Sequence, residues 1–134
     1  MEVEIIKENE RELIFKLIDT TPDRANTLRR TIIADVPTMA IDEVIFLENT
    51  TIFFDEYIAH RLGLIPFKTD LKTYKLPEEC ECGGAGCSRC TANVSVEKIA
   101  ETDGEVLLSG DLVSEDADIR PVNPNIPIVK MRAG

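Results

Sequence analysis

Thr20-Thr21-Pro22-Asp23-Arg24-Ala25-Asn26-Thr27-Leu28-Arg29-Arg30 is the stretch on which the fold turns. Two hydroxyl residues stand where a helix N-cap belongs, proline occupies the first helical position, and an aspartate sits in the first turn. Apolar residues then recur at Ala25, Leu28, Ile32 and Val36, along one face of a helix, until Pro37 stops it. Upstream, Glu2 to Ile6 and Glu12 to Ile18 are β-branched-rich runs parted by the polar Lys7-Glu8-Asn9-Glu10, which predicts an antiparallel hairpin. The chain therefore opens as hairpin, then helix.

Downstream, Ala40 to Leu47 reads as a strand buried on both faces, with Ile41, Ile45 and Leu47 on one side and Val44 and Phe46 on the other. A short amphipathic helix is expected from about Asp55 to Leu62. It turns Ile58 and Leu62 inward, with Gly63 as C-cap and Pro66 soon after. Asp70 to Pro77 is polar linker. Thr91 to Ile99 alternates as a strand, and Glu105 to Leu108 is expected to pair back with it across Thr102-Asp103-Gly104. Ser114 to Pro127, rich in acids and prolines, reads as an extended loop before a last strand at Ile126 to Met131.

The totals bound what such a chain can do. At 134 residues with 43% hydrophobic content it can bury a real core. The balance of 25 acidic against 15 basic residues, a net charge of -10, repels phosphate backbones and disfavours free-standing nucleic-acid binding. The sequence contains no apolar run of roughly 18 residues, and Met1-Glu2-Val3-Glu4 has no signal-peptide character, so a cytoplasmic, soluble protein without membrane contact is expected.

All 4 cysteines crowd into Cys80-Glu81-Cys82-Gly83-Gly84-Ala85-Gly86-Cys87-Ser88-Arg89-Cys90. Four soft thiolates at this spacing can close on one tetrahedral ion, for which zinc fits best. A shell of four sulfurs has no open position for water, so the ion is structural, contributing about 10 kcal/mol or more in small metal domains. An iron–sulfur cluster, a disulfide pair and unliganded thiols are the other readings of the same spacing. Redox catalysis through Cys87-Ser88-Arg89-Cys90 is weakened by the two flanking cysteines and by the absence of a βαβ context.

Elsewhere the signals point to binding. Arg29 and Arg30 flank the apolar stripe next to Leu28 and can bridge to carboxylates of a partner, although charged residues beside such a stripe are also ordinary solvated surface. His60, the only histidine, lacks a nucleophile nearby and reads as a partly packed helix residue. No aspartate cluster suited to two magnesium ions and no phosphate-binding glycine loop occurs. No catalytic residue is assigned.

Three segments carry a resemblance. Thr21 to Arg30 with Val36-Pro37-Thr38-Met39-Ala40-Ile41-Asp42-Glu43-Val44, then Asp55-Glu56-Tyr57-Ile58-Ala59-His60-Arg61-Leu62-Gly63-Leu64-Ile65-Pro66, and finally Asn123 to Met131 are similar to the DNA-directed RNA polymerase family of the bacterial alpha subunit and its archaeal and eukaryotic counterparts, the archaeal form above all. The resemblance implies an α+β chain. Residues 1–39 would form the N-terminal part of a dimerisation domain, hairpin plus helix, followed by a mainly β insertion domain at 40–127 carrying the four-cysteine zinc site at 80–90. Residues 128–134 would return to the dimerisation domain. It also implies a non-catalytic assembly platform that pairs with a smaller dimerisation subunit, recruits the second-largest and largest polymerase subunits, and meets DNA only through the complex. Arg24, Asn26, Leu28, Arg29, Arg30, His60 and Arg61 would be its partner-binding residues, and Cys80, Cys82, Cys87 and Cys90 its Zn2+ ligands, with an iron–sulfur cluster second. The family continues past this point, so a fragment or split-gene product that dimerises poorly and exposes apolar surface is expected. The contrasting expectation is a free-standing zinc-dependent protein-binding or thiol-redox module.

Overall fold

In the computed structural model, which describes residues 1–134, the two N-terminal runs pair as an antiparallel hairpin of β1 (Glu2–Glu8) and β2 (Leu13–Ile18). Its register sets Val3 opposite Leu17 and Ile5 opposite Phe15, an apolar face, and Glu4 opposite Lys16 on the other. The connection is held by Asn9, whose Oδ1 accepts from the Arg11 and Glu12 amides at 2.9 and 2.8 Å. Asp19, in the left-handed region at φ 53°, turns the chain into α1 (Pro22–Ala34).

Pro22 opens α1 as expected, and Thr21 is its N-cap residue, but the threonine hydroxyl makes no cap hydrogen bond to the backbone. It serves the Asp23 carboxylate instead, the largest cause of that group's depressed pKa. These elements form one compact unit, Met1–Val36, in which no residue is buried.

The second compact unit, Pro37–Gly134, has its own core. Here α2 (Asp55–Gly63) buries Ile58 and Leu62, the two inward positions read from the sequence. They pack with Ile65, Phe67, Leu107 and the adjacent Ile128 and Val129 in one cluster. Gly63 proves to be the last helical residue and not the cap: the helix is closed by Leu64 in ordinary right-handed geometry, so no left-handed glycine is needed.

Four short strands complete the unit: β3 (Val94–Ser95), β4 (Val106–Leu108), β5 (Val113–Ser114) and β6 (Pro127–Lys130). Their pairing corrects the expected hairpin, because β4 joins β6 and β3 joins β5, both antiparallel. β4 carries Leu107 into the core beside Val129, whereas in the 91–99 run Ala92 and Val94 only flank the core and Val96 and Ile99 point to solvent. The strand expected at Ala40 to Leu47 is absent. Ile41, Val44 and Phe46 rest against the core while Ile45 and Leu47 are 79% and 97% exposed, so burial does not follow the two faces of a strand. No other stretch of the chain supplies a ladder of hydrogen bonds to its backbone.

The polar groups of this unit are largely satisfied inside it. Ser109, fully buried, donates from Oγ to the Asn123 carbonyl at 2.6 Å and accepts from the Ile126 amide at 3.1 Å, pinning the Asn123 to Ile126 segment onto β4. Lys98 donates to Asp111 at 2.9 Å and to the Val106 carbonyl at 3.1 Å. No helix is long and apolar enough to cross a membrane.

Candidate metal centre and partner face

The four cysteines do converge. A 3₁₀ turn at Pro77–Glu79 delivers Cys80, whose carbonyl accepts from the Gly83 amide at 2.9 Å. On the far side the Cys87 carbonyl accepts from the amides of Cys90 and Thr91, each at 2.9 Å, which closes the second knuckle. Between them Gly83, Gly84 and Gly86 all adopt positive φ, at 65°, 84° and 80°, a path that side chains would strain. The result gathers the sulfurs of Cys80, Cys82, Cys87 and Cys90 within 4.8 Å of one another.

These spacings can be tested against a metal shell. Four sulfurs each about 2.3 Å from one ion at tetrahedral angles lie about 3.8 Å apart. The pairs Cys80–Cys87, Cys82–Cys90 and Cys87–Cys90 are separated by 3.5, 3.6 and 3.9 Å. The residues therefore fit a four-thiolate metal site.

The thiols are electrostatically unequal. A backbone hydrogen bond associated with Cys87 and another from the Cys80 side chain lower the pKa of Cys82 to about 6. The Cys87 thiol is also lowered, first by the Arg89 backbone amide. For Cys80 the Cys82 amide acts in the same downward direction, but burial and the crowding sulfurs outweigh it and the thiol is pushed up to about 11. A dication would remove this inequality by holding all four as thiolates.

Around the sulfurs runs a polar brace that the spacing of cysteines did not disclose. Arg89 donates to Glu81 at 2.8 Å, Lys75 lies 3.7 Å from the same carboxylate, and the Lys75 amide donates to the Arg89 carbonyl at 2.9 Å. Four thiolates and a dication would carry net negative charge, which Arg89, close to the Cys87 thiol, would partly offset. The available signal was a basic residue inside the C-x-x-C tetrad itself.

The residues singled out for partner contact occupy both units. On α1, Arg24, Asn26, Arg29 and Arg30 are exposed and Leu28 half-buried. Arg29 is braced by its own helix, with Nε and Nη2 donating to Asn26 Oδ1 at 3.1 and 2.9 Å. Ile32 and Ile33 on the same helix are 52% and 70% exposed, and Val3, Ile5 and Leu13 of the hairpin are more than half exposed as well.

On α2, His60 is exposed and not partly packed, because it falls between the inward positions 58 and 62. Arg61 is turned inward: its Nη2 donates to the Pro127 carbonyl and its guanidinium carbon lies 5.9 Å from the centre of the Tyr57 ring. Its buried Nε has no partner.

Comparison with known proteins agrees with this picture. Residues 14–131 match the model of the family described as the RNA polymerase Rpb3/Rpb11 dimerisation domain. The chain is 44% identical over 135 residues to the DNA-directed RNA polymerase subunit Rpo3 of Methanosarcina acetivorans, and 47% identical over 135 residues to that of Methanosarcina mazei. It is 42% identical over 146 residues to that of Thermoplasma volcanium. The match covers 100% of this chain for the first two and 99% for the third, but only 50%, 50% and 52% of the relatives, so the chain spans about half their length.

Proposed function

The chain belongs to the RNA polymerase Rpb3/Rpb11 dimerisation domain family, and from that premise we propose that it is the assembly platform of an archaeal-type RNA polymerase, without catalysis of its own. The observation that carries this reading is the first unit: its hairpin and helix bury no residue of their own, yet Ile5, Leu13, Ile32 and Ile33 stand open to solvent. Exposed apolar residues in such number, in a unit that buries none, are what a partner covers in this reading. In this proposal a smaller dimerisation subunit packs against it, with Arg24, Asn26, Leu28, Arg29 and Arg30 beside that contact, and the second-largest and largest subunits join the resulting pair. His60 is the exposed contact on α2, whereas Arg61 positions α2 through its carbonyl contact. The domain division at 39 and 127, with 128–134 leading back to the dimerisation domain, is part of the same proposal. The break between compact units after Val36 supports the first boundary. Such a protein works in the cytoplasm and reaches DNA only through the assembled enzyme.

We also propose that the four cysteines hold structural zinc. Sulfur spacings near those of a tetrahedral thiolate shell support it, and all-sulfur ligation makes the ion a brace for residues 80–90, not a Lewis acid. Zinc supplies the cross-link that this glycine-rich loop otherwise lacks.

Co-expression tests the assembly reading. The chain, extended to the length of its relatives, is expected to co-purify with the smaller dimerisation subunit, and Arg29→Glu together with Ile33→Asp to abolish the complex while leaving the second unit folded. Failure to bind any polymerase subunit would remove the proposal in favour of a free-standing zinc-dependent module. Mass measurement under native conditions tests the metal: one zinc per chain is expected, and a two-proton loss between cysteines would show a disulfide instead.

A further inference from the structure

A second surface lies in the unit that carries the cysteines, away from the sulfur cluster in sequence. Phe67 bridges Pro121 in antiparallel fashion, the Lys68 amide donates to the Arg120 carbonyl at 2.9 Å, and the Val122 amide donates to the Pro66 carbonyl, also at 2.9 Å. This miniature ladder makes Lys68 and Arg120 direct cross-strand neighbours. Both line one open groove of about 470 Å³, completed by Gly110, Leu112, Pro121, Val122 and Pro124. A groove of that volume lies in the range of ligand sites.

Two like charges directly opposite one another destabilise a strand pair. The cost is unusual in a chain of net charge -10, which has 25 acidic residues from which to draw a compensating neighbour. Only Asp118 approaches, 3.4 Å from Lys68 with both side chains largely in solvent, while Arg120 pairs with no carboxylate of the chain. The walls, meanwhile, are firmly built. Gly110 approaches Pro124 so closely that a Cβ would meet its carbonyl oxygen at 2.8 Å, and the Gly110 amide donates to that same oxygen. Buried Ser109 ties down the segment on either side of Pro124. The groove is thus pre-shaped, with Lys68 and Arg120 as its cationic lining and Leu112, Val122 and the prolines as its apolar lining.

We propose that this groove docks an acidic segment of a partner protein, one or two carboxylates meeting Lys68 and Arg120 while a neighbouring apolar side chain lies along Leu112 and Val122. A nucleic-acid strand is the poorer occupant, because its continuous phosphate charge would meet the field of the whole acidic chain, whereas a short peptide presents its charge only at the groove. The inference does not depend on assembly into a polymerase, since it concerns the second unit alone.

The test is a titration of the isotope-labelled 134-residue chain, followed by amide resonances. The probes are a blocked peptide of alternating glutamate and leucine, the same peptide with glutamine for glutamate, and a short oligothymidylate. The acidic peptide is expected to shift the amides of Lys68, Leu112, Arg120 and Val122. Arg120→Glu, at an exposed position, is expected to weaken binding about tenfold at unchanged peptide. Arg120→Gln is expected to weaken binding as well and to melt no earlier than the parent chain, since it relieves the like-charge pair, so that in this variant loss of binding is not loss of fold. Equal shifts with the glutamine peptide, stronger shifts with oligothymidylate, or none with any probe would overturn the proposal. A failed co-expression with polymerase subunits would leave these shifts unaffected, so the two readings fail separately.

Discussion

Tyr74 shows how a single buried polar residue makes this fold sensitive to pH at both ends of the scale. Its hydroxyl donates to Asp116 at 2.6 Å, and that bond, followed by burial, pushes the phenol up to about 12. The same bond is the first cause of the depressed Asp116 pKa. A raised folded-state pKa stabilises the native chain below the unfolded value and is lost as pH climbs from about 10 towards 12. A lowered one stabilises it above the unfolded value near 3.8 and is lost as pH falls through the folded value. Tyr74→Phe is therefore expected to cost on the order of 1 kcal/mol at neutral pH and to flatten both arms of the stability profile, measured by urea unfolding across pH. An unchanged profile would show that Asp116 is served by solvent instead. Ser109→Ala belongs to the same scale: the Ile126 amide and the Asn123 carbonyl would lose their partner in a fully buried place. The expected loss is about 1 to 3 kcal/mol, again read from the urea midpoint.

Among the elements, α2 and the cysteine loop are stabilised by different means. α2 depends on two side chains, Ile58 and Leu62, at 5% and 6% exposure. Its spacing was legible in the sequence because two apolar residues four apart mark one helix face whatever the rest of the chain does. Leu62→Ala is expected to cost about 2 to 5 kcal/mol, visible as a lowered melting temperature, whereas His60→Ala, at an exposed site, should leave it nearly unchanged. The loop at 80–90, in the zinc proposal, depends on metal. Cys80→Ser is expected to reduce zinc affinity by orders of magnitude and to broaden the amide resonances of Gly83 to Cys90, while β4 and β6 remain ordered, since their pairing and core contacts lie elsewhere. If the loop stayed sharp in metal-free Cys80→Ser, the hydrogen-bonded knuckles alone would be sufficient and zinc dispensable.

For the whole molecule the decisive contrast is between a unit with a core and a unit without one. Every buried hydrophobic residue of the chain belongs to Pro37–Gly134, whereas Met1–Val36 consists of a hairpin and a helix, elements that are marginal by themselves in water. Hydrogen exchange should therefore be fast through β1, β2 and α1 and slow through α2, β4 and β6 in the isolated chain. Adding the smaller dimerisation subunit is expected to slow the first set by at least about tenfold and leave the second alone; slow exchange in β1 and β2 without any partner would mean that the apolar face needs no cover.

What the linear code determined here were features set by neighbours in the chain, though not all of them, since Gly63 did not cap α2. Proline at the start of α1, the four-residue spacing in α2, the break between β1 and β2, and a cysteine knot dense enough to fold on itself were all readable, because each depends on residues within a turn or two of one another. Pairing was decided only in three dimensions. β4 chose β6 over β3, residues 40–47 joined no sheet, Tyr74 found Asp116 across 42 positions, and Lys68 came to lie opposite Arg120. Alternation in a strand says which side chains share a face, but it does not name the strand across from it; that choice belongs to burial and hydrogen bonding summed over the whole unit.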